Sequence, residues 1–146
     1  MIALNHITNP LHRRFYQYAV FGFIALSLGY LLREQISPKN ALVSLLLGSF
    51  PNLTGSFATP FILTFLIAQK YPSWNGMSSL SVFGLINLFT FAVCVLIEYL
   101  HVLFQLGRWD ANDIAASIIG GLLSMVLFML TRRMAGRRQE QLKTDD

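Results

Sequence analysis

The side chains able to do chemistry gather between positions 98 and 113. Glu98, His101 and Gln105 stand at i, i+3 and i+7, and Arg108, Asp110 and Asp113 follow. On a helix the first three share one face. A carboxylate beside an imidazole is an acid–base pair, with His101 moving a proton and Glu98 orienting it. An arginine next to two aspartates and Trp109 suits a phosphate or carboxylate headgroup. Each residue also has a plainer use. Glu98 and Arg108 make a structural ion pair, His101 an interior hydrogen bond, and Arg108 an interfacial anchor. Asn112 and Asp113 make caps for the helix that follows. The Glu98-x-x-His101 spacing is one half of the paired motif of carboxylate-bridged metal bundles. It occurs once, and no second Glu lies within an apolar run, so neither a metal nor a cofactor is expected. Fingerprints of nucleotide binding, serine hydrolysis or zinc proteolysis are missing.

The elements that must carry these residues are apolar. Of 146 residues, 54% are hydrophobic and 12% charged, with 12 Phe, 5 Tyr and 2 Trp. A soluble domain carries about twice that charge. A soluble enzyme, a disordered chain and a disulfide scaffold are thereby disfavoured, and a small polytopic membrane protein is favoured. The single cysteine, Cys94, lies in an apolar run and reads as a small core hydrophobe. The composition thus predicts an all-α membrane protein forming a four-span transmembrane bundle. Its spans fall at about 15–32, 53–69, 80–104 and 114–130, within a single domain covering 1–146.

The uncharged run from Ala41 to Gln69 would make a helix of roughly 43 Å, longer than one crossing needs. Ser49-Phe50-Pro51-Asn52 interrupts it, and Pro51 disfavours a helical Phe50. The expectation is a short apolar segment at 41–50, broken or re-entrant, ahead of the second span. A kinked single span is the plainer alternative. Irregular backbone at membrane depth needs burial or a polar cavity, so Asn52, Thr54 and Ser56 are candidates for a cavity wall.

Basic residues set the orientation. The N-terminus, the 70–77 turn and the tail hold Arg13, Arg14, Lys70, Arg132, Arg133, Arg137, Arg138 and Lys143, against Arg33, Lys39 and Arg108 on the other side. Both termini and the basic tail at 132–146 are then expected in the cytoplasm, and Glu98–Asp113 at the outer face. The net charge of +4 therefore reads as membrane orientation, with no nucleic-acid partner. The tail is expected to be frayed or interfacial, its Arg-Arg-Met-Ala-Gly-Arg-Arg run a topology signal compatible with an anionic-lipid patch. The fourth span carries small residues four apart: Ala116 and Gly120, Ser117 and Gly121, Gly120 and Ser124. Such strips let helices approach closely, so Gly120 and Gly121 are helix-packing candidates, with homo-oligomerisation as the alternative use.

Residues 98–121 resemble the VanZ-like family of small bacterial membrane proteins. The resemblance rests on Glu98 at the end of a span, the Gly107-Arg108 step, the Trp109-Asp110 pair, Asp113 and Gly120. His101 stands where the family usually has Gln, and Ser117 where it usually has Asn. The resemblance implies a cell-envelope protein of the bacterial cytoplasmic membrane. The family's name-giving member is associated with teicoplanin resistance. Together these readings lead to a protein that binds an anionic lipid or cell-wall precursor at the outer face. Arg108 would hold the anion, Glu98 would orient Arg108, and Asp113 would fix the loop. A membrane enzyme using His101 and Glu98, and a non-catalytic accessory or structural subunit, are the alternatives.

Overall fold

The computed structural model describes residues 10–35, 40–71, 79–104 and 110–144, with side chains through Arg137. The described residues form four helices: α1 (Pro10–Gln35), α2 (Ala41–Lys70), α3 (Leu80–Leu103) and α4 (Ala111–Thr144). All four are long and apolar enough to cross a membrane. Their outward surfaces are rich in Leu, Ile, Val and Phe, for example Phe21, Leu85, Leu88 and Leu122. In water that exposure would drive association. Against lipid tails it is the ordinary surface of a spanning helix.

Successive helices run antiparallel, as the pairs across them show. Phe15 meets Phe61 while Gly29 meets Phe50, and Phe83 meets Phe128 while Asn87 meets Gly121. α2 lies at the centre. On one side it receives α1, where a Cβ on Gly22 would come within 2.6 Å of the Ala58 Cβ. On the other it receives α4, where a Cβ on Gly120 would overlap the Leu53 carbonyl and the Ser56 hydroxyl. Glycine at 22 and 120 is therefore a condition of contact, because a methyl group would push the backbones apart.

Several sequence expectations change at this point. α2 runs unbroken from Ala41 to Lys70 with Pro51 and Pro60 inside it. The separate segment at 41–50 and the span beginning at 53 are thus one helix. Each proline removes the amide that would serve the carbonyl four residues earlier. Both rings are nevertheless buried against neighbouring helices, and spanning helices tolerate proline under such packing. Hydroxyls crowd the same turns: Thr54 donates to the Phe50 carbonyl at 2.9 Å, and Thr64 to the Pro60 carbonyl at 2.7 Å. Asn40 starts this helix, its side-chain oxygen accepting from the Leu42 amide at 2.8 Å.

α4 is also longer than expected, continuing through the basic tail to Thr144. Residues 132–144 contain no proline and are mostly good helix formers. Ala135 in that extension packs against the cluster that includes Leu11 and Phe15. The helix begins one turn before the apolar run, and its cap is Asp110 rather than Asn112 or Asp113. The Asp110 carboxylate accepts from the Asn112 amide at 2.8 Å.

The two ends of the bundle differ in content. Where α1 and α3 begin and α2 and α4 end, Phe15, Phe61, Phe83 and Phe128 are fully buried together. Phe83 and Phe128 stack with centroids 4.1 Å apart, and Phe15 lies 5.3 Å from Phe128. Tyr18 reaches Thr131 at 3.1 Å across the edge of this cluster. The opposite end holds the charged residues of interest.

Candidate functional site: a polar seam ending in two carboxylates

α3 presents Asn87, Thr90, Cys94 and Glu98 at spacings of three and four, a single stripe. α4 presents Asp113, Ser117, Gly121 and Ser124 in the same way. Antiparallel packing lays the two stripes together. At the inner end the Asn87 amide donates to the Gly121 carbonyl at 3.1 Å and to the Ser124 hydroxyl. A Cβ on Gly121 would sit 2.7 Å from the Asn87 Oδ1. Midway, the Cys94 thiol lies near the Ser117 hydroxyl. At the outer end Glu98 is only 8% exposed and faces Asp113.

The third wall of that outer end is α2. The Asn52 side chain lies near the Glu98 carboxyl. Asn52 follows Pro51, so the proline turn places this amide. Thr54 and Ser56, the other expected wall residues, are buried, and their hydroxyls bond back onto carbonyls of their own helix. They leave the space without donors aimed into it.

Asp113 sits in the first turn of α4, where the helix dipole favours a negative charge. Its Oδ1 is buried and has no hydrogen-bond partner among the described residues. A buried acceptor left unpaired costs about 1–3 kcal/mol, more when charged. It stands beside a second carboxylate, which adds repulsion. Among the described residues no donor completes this pair.

His101 and Asp110 lie within electrostatic reach of Glu98, and both are exposed at the end of the bundle. The i, i+3 spacing therefore does not bury His101 beside Glu98. Gln105 and Arg108 lie outside the described residues. Among the described residues, no three metal-ligating side chains come together. Asn87, Cys94 and Ser117 were not singled out as site residues from sequence. Their signal is the shared stripe with Glu98, which a scan for charged groups alone passes over. No protein-family profile, curated protein or solved structure matches this chain.

Proposed function

We propose that this multi-pass membrane protein is a VanZ-like component of the bacterial cell envelope that holds a lipid-linked headgroup at the Asn52–Glu98–Asp113 end. One observation carries the reading: the buried, unpartnered Oδ1 of Asp113 beside the buried Glu98. A fold keeps an unpaired acceptor next to a second carboxylate when an external donor completes it. Hydroxyls of a sugar or glycerol moiety, or an amine, supply that donor. Arg108, five residues before Asp113, supplies the cation for the phosphate of the same headgroup. Asn52 holds Glu98 in place.

The test is titration of the purified full chain in detergent with a polyprenyl phosphate, followed by native mass spectrometry. Asp113→Asn and Arg108→Ala are expected to weaken retention about tenfold each with helicity unchanged. Absence of saturable binding to the unsubstituted protein overturns the reading. The expected sidedness has its own check in intact cells. In a Cys94→Ser background, single cysteines at Gly107, Ser73 and Gln139 are exposed to a membrane-impermeant thiol reagent. Labelling at 107 alone places Glu98 and Asp113 at the outer face. Labelling at 73 and 139 alone puts the cluster in the cytoplasm and removes the envelope ligand.

A further inference from the structure

The α3/α4 seam opens outward as two recesses in line. The first, about 260 Å³, lies between Gly84 and Leu88 on α3 and Ile118, Leu122 and Met125 on α4. The second, about 350 Å³, lies between Leu80 and Met129, Arg132 and Arg133. Positions 118, 122, 125, 129, 132 and 133 fall on one face of α4, so the recesses are stretches of a single groove. Gly84 keeps it open, since a Cβ there would meet only the Met125 terminal methyl, at 3.8 Å. From Ile118 to Arg132 the lining runs about 21 Å along α4, within a ~30 Å hydrocarbon core.

Its mouth is cationic. Arg132 and Arg133 are exposed. No Asp or Glu occurs in residues 1–33, 35–97 or 114–139, so among the described side chains at that end none is acidic. The other charged groups at that end of the bundle, Arg13, Arg14, Lys70 and Arg137, are basic and do not line the groove. Two adjacent guanidiniums above a largely apolar groove match a phosphate above an acyl chain. A second copy of this chain fits worse. Parallel two-fold packing along the groove would bring two such arginine pairs to the same level.

We propose that an anionic phospholipid, from the leaflet on the side of the chain termini, docks here. Its phosphate sits between Arg132 and Arg133, and one acyl chain lies along the α3/α4 groove. This site is at the opposite end from Glu98 and Asp113 and does not rest on the function proposed there.

Native mass spectrometry of the full chain with dioleoyl phosphatidylglycerol or dioleoyl phosphatidylcholine tests it. The unsubstituted protein is expected to retain phosphatidylglycerol about tenfold better. The double substitution Arg132→Gln/Arg133→Gln should abolish that preference, and Gly84→Leu, which fills the groove, should weaken retention of the lipid. Arg13→Gln/Arg14→Gln removes the same charge at the same end and should leave the preference in place. Excess glycerol 3-phosphate should not compete. Any of four results overturns the proposal: equal retention of both lipids, an equal loss in the Arg13/Arg14 variant, full competition by glycerol 3-phosphate, or a protein dimer in place of the lipid adduct. Circular dichroism of each variant separates lost binding from lost folding.

Discussion

The aromatic end of the bundle is complete, and the carboxylate end is not. Phe15, Phe61, Phe83 and Phe128 fill one another's space with no exposed surface, and Tyr18 and Thr131 satisfy each other at the margin. Glu98, Asp113 and Asn52 also come from three helices, yet one carboxylate oxygen remains buried without a donor. Packing among phenylalanines is non-directional and can be finished by side chains alone. A polar cluster is finished only when donors and acceptors balance. The chain thus uses one end to hold its helices together, and at the other the described side chains leave an acceptor unmatched.

If that division is right, truncation at the aromatic end does the most damage. Phe128→Ala is expected to destabilise the protein by about 3 kcal/mol, because a stacked ring is replaced by a cavity. Thermal denaturation in detergent reads this, and a loss under about 1 kcal/mol would mean the cluster is not the clamp. Gly120→Ala comes next at about 2 kcal/mol. The added methyl meets the α2 backbone, which cannot step aside as a side chain would. Asn87→Ala, midway between the ends, should cost about 1 kcal/mol for its hydrogen bonds to α4.

The smallest effect is the one that sharpens the contrast. Asp113→Asn removes a charge beside Glu98 and gives the orphaned position a donor. Stability should hold within about 0.5 kcal/mol or rise, while headgroup retention falls. A drop of more than about 1 kcal/mol would make Asp113 a structural residue and erase the difference between the two ends.

How far the chain could be read from its residues varied with the physics involved. Hydropathy marks spans because a crossing helix must be apolar along its length, so four helices were legible, α3 (Leu80–Leu103) to within a residue. α1 and α4 ran past their apolar runs, since polar ends such as Arg132–Thr144 have good helix propensity that hydropathy ignores. The Pro51 turn misled for a related reason. A proline breaks a helix in isolation, but here its ring is buried against other helices and the helix continues. Of the charged cluster, Glu98 and Asp113 meet, while His101 faces outward. Spacing along one helix fixes a face only to within a quarter turn or so, and which part of that arc the neighbours cover is decided by packing.

The sequence by itself therefore determined the helical class, the membrane setting and the segregation of charge, because each follows from composition and local order along the chain. Only the tertiary structure decided that Asn52 lies near Glu98, that Asp113 has no donor among the described residues, and that Gly84 faces Met125 while Leu80 faces Met129 and the Arg132–Arg133 pair. These are relations between residues distant in sequence, set by how antiparallel helices settle against one another, and no local rule encodes them.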